Sequence, residues 1–177
     1  EGKIEGEGRA EYPDGAIYEG EFKSGQPSGS GSIVFPDGST YAGDWLNGNF
    51  EGNGLIIYTN GIRFEGEFKA GLQNGFGKMI SPNGYIYEGN WDNGEKQGLG
   101  KITYTDNAIY EGEVTKGVRS GYGKLTMSNG IVFQGTWKDG NISGKGQIIQ
   151  PNGDSYEGDL IDGRRSGKGE TVYANGD

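Results

Sequence analysis

Residues 87–100 read YEGNWDNGEKQGLG, from Tyr87 to Gly100. Tyr87, Gly89 and Trp91 fall at every second position, and after a polar stretch Gly98, Gly100 and Ile102 do the same. A period of two marks a strand with one covered face. The same stretch recurs one unit earlier as FEGEFKAGLQNGFG from Phe64, and one unit later as YEGEVTKGVRSGYG from Tyr110. The fold therefore has to be read from a repeat.

The spacing is 23 residues, without insertion or deletion. Units begin at Tyr18, Tyr41, Phe64, Tyr87, Tyr110, Phe133 and Tyr156, after a partial unit over residues 1–17, so residues 1–177 form one repeat array. All 38 glycines occupy five columns: unit positions 3, 8, 12, 14 and 21. Asn107 is the one departure, at position 21. Position 5 is aromatic in Phe22, Trp45, Phe68, Trp91 and Trp137, position 16 is mostly aliphatic, and position 20 is always Asp or Asn.

One unit reads as a β-hairpin, with strands over positions 1–6 and 12–18 and turns over 7–11 and 19–22. The Asp/Asn-Gly pair at positions 20 and 21 is a tight-turn signal. No window has helical spacing. Parity puts positions 1, 3, 5, 12, 14, 16 and 18 on one face, where rings cover strand glycines. The carboxylates at positions 2 and 4 go to a solvated opposite face, facing Lys78, Lys101 and Lys124 at position 15. One hairpin cannot bury its aromatic stripe alone, so repeats must stack. The expected fold class is all-β, an elongated single-layer antiparallel hairpin array forming a twisted rod or half-pipe roughly 75 Å long at ~4.8 Å per strand.

Composition removes much chemistry. The chain has no cysteine and no histidine, hence no thiolate and no imidazole base. Sixteen basic against 25 acidic residues, net −9, oppose nucleic acid and anionic lipid. No apolar run reaches the ~20 residues of a membrane-spanning helix. No Gly-x-Gly pair opens a helix, the acids are not spaced as a calcium loop, and no nucleophile sits with a base. No enzyme activity, metal or cofactor is expected.

The pattern Tyr-x-Gly-x-Trp/Phe-x-x-Gly-x-x-x-Gly-x-Gly resembles the MORN repeat (membrane occupation and recognition nexus) over the whole chain. Within that family it is similar to the repeat-only cytoskeletal proteins of protozoan parasites. The resemblance implies a non-enzymatic scaffold of elongated, often dimeric, assemblies at the cytoskeleton or the inner face of a membrane compartment. It also offers phospholipid-headgroup binding, or the repeat segment of a larger enzyme such as a lipid kinase or lysine methyltransferase. The family often has histidine at position 11; this chain has Ser28, Glu51, Asn74, Gln97, Ser120, Ser143 and Ser166 there. It opens inside a unit and stops one residue short of one, which reads as an excerpt.

Three sets of residues are candidates for binding protein partners or a second copy. A groove is expected along Tyr18, Phe22, Tyr41, Trp45, Phe64, Phe68, Tyr87, Trp91, Tyr110, Phe133, Trp137 and Tyr156. A surface patch is expected from Phe50, Phe76, Tyr85 and Tyr122. Lys96, Lys116, Arg119, Arg164 and Arg165 form the candidate rim for phosphate or lipid, with weak or no lipid binding expected against the overall charge. Unpaired edges at the Glu1 and Asp177 ends are expected to favour a homodimer.

Overall fold

The computed structural model describes residues 3–175. Glu1, Gly2, Gly176 and Asp177 lie outside the described residues, and with them the two ends expected to invite pairing. The described residues form no helix. They form β1 (Gly6–Glu11), β2 (Ile17–Lys23), β3 (Gln26–Val34), β4 (Thr40–Leu46), β5 (Asn49–Ile57), β6 (Arg63–Lys69) and β7 (Leu72–Ile80). These are followed by β8 (Ile86–Asp92), β9 (Glu95–Thr103), β10 (Ile109–Thr115), β11 (Val118–Thr126), β12 (Val132–Lys138), β13 (Asn141–Ile149), β14 (Ser155–Ile161) and β15 (Arg164–Val172). The strands hydrogen-bond in chain order in one antiparallel sheet, as the repeat pattern predicts. Two compact units can be described separately: Glu1–Pro82 with Asn90–Glu95, and Asn83–Gly89 with Lys96–Asp177.

The hairpin turn is shorter than the expected 7–11. Lys23 pairs with Gln26, leaving two residues, Ser24 and Gly25, both at positive φ (53° and 82°). That is the turn whose twist matches a right-handed strand pair. Ala70 and Lys116 adopt the same conformation at position 7, where neither residue type advertises it. The second strand thus starts at position 9, three residues earlier than read. The turn at positions 19–21 is as expected: Ser39 N–H donates to Asp37 Oδ1 at 2.8 Å and Ile62 N–H to Asn60 Oδ1 at 3.0 Å.

The extra strand length contains an irregularity. Gly112 pairs with Gly123, but the next residue, Glu113, pairs with Ser120, so Gly121 and Tyr122 are surplus on the longer strand. The Glu113 carboxylate accepts the Tyr122 N–H at 3.1 Å. Glu21, Asp44, Glu67 and Asp159 do the same for Ser30, Asn53, Phe76 and Lys168. Gly121 has φ 54°, and a Cβ there would collide with the Glu113 carboxylate. The position-4 acids are therefore not simply solvated charges. They hold a bulge in place.

Glycines at positions 3 and 14 pair with one another across every strand for which register is defined: Gly8, Gly20, Gly31, Gly43, Gly54 and Gly66 in order, ending on Gly77 in the first unit. The second unit repeats this from Gly100 to Gly169. Tyr41 lies over Gly43 and Gly54, where a Cβ on Gly54 would enter its ring. Its hydroxyl donates to the Asp44 carbonyl at 2.8 Å, and Tyr18, Tyr110 and Tyr156 make the equivalent bond. Each Trp reaches back one repeat, Trp45 Nε1 donating to the Gly31 carbonyl at 3.0 Å and Trp137 Nε1 to Gly123 at 2.9 Å. In the first unit, rings meet edge to face from Phe22 through Tyr18, Trp45, Tyr41, Phe68 and Phe64 to Trp91, with centroids 5.0–5.3 Å apart.

Two substitutions weigh these contacts. Gly54→Ala should cost about 1–3 kcal/mol by overpacking against Tyr41. Tyr41→Phe, which imitates Phe64 and Phe133 in the same column, should cost only about 1 kcal/mol for its hydrogen bond. Urea unfolding of both variants, showing Tyr41→Phe as the costlier, would contradict this packing.

Candidate protein-binding surface

Eleven of the twelve rings expected to line a groove are buried, and Phe133 is half-buried. Tyr18, Tyr41, Tyr87 and Tyr110 have no exposed surface at all. A single-layer sheet has no opposing layer, so these rings are its core, lying flat on the glycine ladder. The residue that covers them comes from position 10, which strand register places opposite position 5. Phe50 stacks on Tyr41 with centroids 3.7 Å apart and planes at 11°.

Basic residues take the same place in later repeats. Lys96 Nζ lies 5.3 Å from the Tyr87 centroid and 4.6 Å from that of Tyr85, and donates to the Tyr85 hydroxyl at 3.3 Å. Arg119 sits 4.5 Å over Trp137 and donates to the Gly140 carbonyl at 2.7 Å. Arg165 sits 4.9 Å over Tyr156. Such contacts contribute ~0.5–2 kcal/mol each. The expected five-residue rim is thereby divided. Lys96, Arg119 and Arg165 cover rings, Lys116 is a turn residue at φ 51°, and Arg164 falls at position 9 on the opposite face.

Burial sets the titration of this layer. Desolvation holds the Lys96 ammonium below its usual pKa and pushes the Tyr41 phenol up. Tyr87 and Tyr110 are both pushed up to about 12, chiefly by burial, with Tyr85 adding to the first and Arg119 opposing the second.

The expected surface patch also divides. Phe50 and Tyr85 are half-buried on the ring face, Tyr85 meeting Tyr104 with centroids 6.2 Å apart. Phe76 and Tyr122 stand on the opposite face at position 13, 54% and 58% exposed. Leu99, in the same column, is 64% exposed and was not singled out by the sequence reading. An aliphatic residue in a polar stretch carries no signal until the bulge shows which way it points. Along this column the chain has Glu7, Ser30, Asn53, Phe76, Leu99, Tyr122, Lys145 and Lys168, a different residue at nearly every repeat.

On the same face of the second unit an open channel of about 950 Å³ crosses the strands over Gly135, Gly146, Gly158 and Gly169. One wall is Tyr122, Lys145 and Lys168, and the other Gln134, Gln147, Glu157 and Glu170. Among the described residues no three metal-binding side chains gather, and no helix is long and apolar enough to cross a membrane.

Compared with known families, the chain matches the MORN repeat eight times: residues 1–17, 18–40, 41–63, 64–84, 87–109, 110–132, 133–155 and 156–177. It belongs to the MORN repeat family. No curated protein matches the sequence. Solved structures share the fold of this MORN array. One is the TCP domain of SAS-4 (dCPAP) from Drosophila melanogaster, in complex with a Proline Rich Motif of Ana2 (dSTIL). It is 13% identical, with 88% of this chain and 85% of that one covered, at a TM-score of 0.56. The TCP10 domain of CPAP from Danio rerio is 11% identical over 95% of this chain and 79% of its own, at 0.57. At these identities the likeness is one of fold alone.

The raised phenols predict an alkaline limit for the MORN array. A group whose folded pKa is raised contributes stability that is complete below its unfolded value near 10. That contribution is lost as pH climbs through the folded value of about 12. Melting temperature should fall steeply between pH 10 and 12, and Tyr110→Phe should flatten the fall. Identical pH profiles for both proteins would refute the assignment.

Proposed function

We propose that this chain is a non-enzymatic protein-interaction scaffold working at the cytoskeleton or the membrane-associated cortex, where it self-associates and holds partner proteins. The observation that carries the reading is the position-13 column. It presents Phe76 in the first unit and, separately, Leu99 and Tyr122 in successive repeats of the second, each more than half exposed. Their backbone is not loose: the N–H groups of Phe76 and Tyr122 are tied to Glu67 and Glu113. Variable side chains on a repeated rigid frame are how solenoid and array proteins build partner-specific surfaces. The SAS-4 domain of similar fold, solved with its Ana2 motif, supports a protein as the ligand class.

Chemistry-bearing groups elsewhere are occupied in holding the frame, which supports the non-enzymatic reading. The position-4 carboxylates cap bulges, the position-20 Asp and Asn residues close turns, and tyrosine hydroxyls bind carbonyls. Three of the five candidate rim cations lie over rings, which weighs against a phosphate-binding rim.

The test pairs capture with stability. Immobilised protein should retain its partners from a cytoskeletal extract, and purified partner should rebind. The Phe76→Ser, Leu99→Ser double variant should weaken rebinding by more than ~1 kcal/mol for each anchor lost, at an unchanged melting temperature. Undiminished rebinding would move the surface elsewhere. Light scattering at micromolar concentration should give the mass of a dimer, and a monomer there would remove self-association. Phosphoinositide vesicles at physiological salt should bind weakly or not at all, the net charge of −9 opposing them.

A further inference from the structure

Position 2 and position 15 face each other across strands on the side away from the rings, and their charges mostly alternate. Arg9 pairs with Glu19 at 3.2 Å and Lys101 with Glu111 at 3.9 Å, while Glu65 is in register with Lys78 and Glu111 with Lys124. The alternation stops at β12. From there Gln134 faces Gln147, Gln147 faces Glu157, and Glu157 faces Glu170. Like charges directly opposite in an antiparallel pair are destabilising. In this hairpin a lysine at position 15, as in the repeats at Phe64, Tyr87 and Tyr110, would remove the repulsion.

That acidic pair forms one wall of the open channel of about 950 Å³. The floor is four glycines, whose strands already pair with one another. The paired strands take up most of the floor's backbone groups, so a peptide laid across them finds its acceptors only in the wall side chains Gln134, Gln147, Glu157 and Glu170 and in water. A segment with few N–H groups gives up least on such a floor. Proline has no N–H. Proline-rich chain also fits the spacing. A left-handed proline helix turns once per three residues, rising about 9.3 Å. Two strands of the sheet advance about 9.6 Å. One turn of the ligand thus spans one repeat of the protein, and successive turns meet equivalent positions. The channel's far end is marked by Tyr122, whose hydroxyl accepts from Gln134 Nε2 at 2.8 Å. On the other wall Lys145 is engaged by Asp159 at 2.8 Å and Lys168 is the second cation, while Glu157 and Glu170 stand in register with each other as two neighbouring charges of like sign.

We infer that this channel takes a short proline-rich segment, crossing β12 to β15, with one basic residue set between Glu157 and Glu170. The inference rests on the scaffold reading and names a partner class for it, on residues separate from Phe76 and Leu99. The ring on the floor side needs no hydrogen bond, and the arginine or lysine removes a repulsion that the free protein retains.

The probe is a fluorescent nine-residue peptide, four prolines on each side of one arginine, titrated by anisotropy onto the whole chain. Binding should saturate, weaken at least tenfold with glutamate in place of arginine, and weaken equally when glycine and serine replace the prolines. Glu170→Lys should reduce affinity at least tenfold while leaving the melting temperature unchanged or higher, because it restores the pairing found in other repeats. Amide signals of Gly146, Gly158 and Gly169 should shift on titration. Equal binding of the glycine-serine peptide would overturn the proline reading by leaving only charge attraction. Undiminished binding by Glu170→Lys, or no saturation at millimolar peptide, would overturn the site. In either case partner capture that depends on Phe76 and Leu99 would leave the scaffold reading standing.

Discussion

Every feature of this sheet depends on an aromatic ring lying flat on paired glycines. A single antiparallel layer has nothing to pack against, and aromatic side chains left upright on it would be half in water. The glycines at positions 3 and 14 remove the Cβ atoms between ring and backbone, so Tyr18, Tyr41 and their equivalents become fully buried without a second layer. The contact also explains why the period tolerates no insertion. Tyr18, Tyr41, Tyr110 and Tyr156 are each fixed by a hydroxyl bond to the position-4 carbonyl and, in the first unit, Tyr18 also meets the next repeat's Trp45 at about 5 Å. One added residue would move a side chain onto the ladder and turn the ring to the opposite face.

The period, the glycine columns, the ring face and the Asx turns were legible because each depends on residue type at fixed spacing. The bulge was not. Two surplus residues on one strand leave the 23-residue count unchanged, and the glycine at position 12 resembles its neighbour at 14 in sequence. Only register separates them: Gly123 pairs with Gly112, whereas Gly121 is surplus in that hairpin. The short turn was hidden for a similar reason, since Ala70 and Lys116 carry no sign of a left-handed backbone.

Position 10 escaped the reading because its occupants share no chemistry. Pro27, Phe50, Gln73, Lys96, Arg119, Ile142 and Arg165 have in common only what they do, which is to lie beside or over a ring. Grouping cations by nearness in sequence joined Arg164 to Arg165, yet strand alternation sends these two to opposite faces. The rim expected from sequence was in part a set of lids for the core.

The two faces consequently have different freedom to vary. On the ring face a change must satisfy a ring, a glycine pair and the repeat before it, as Trp45 shows by binding the Gly31 carbonyl. On the other face the frame asks only for a carboxylate at position 4, and where Asn90 and Thr136 stand there even that is absent. The side chains at positions 2, 13 and 15 stand on this face. They change from Glu–Lys alternation to glutamine and then to a glutamate pair, and from serine to phenylalanine to lysine, while the backbone under them keeps one geometry. A sheet whose core is confined to one side can alter what it presents on the other without altering what it is. That separation leaves the face without the rings as the one freer to change its side chains from repeat to repeat over a constant backbone.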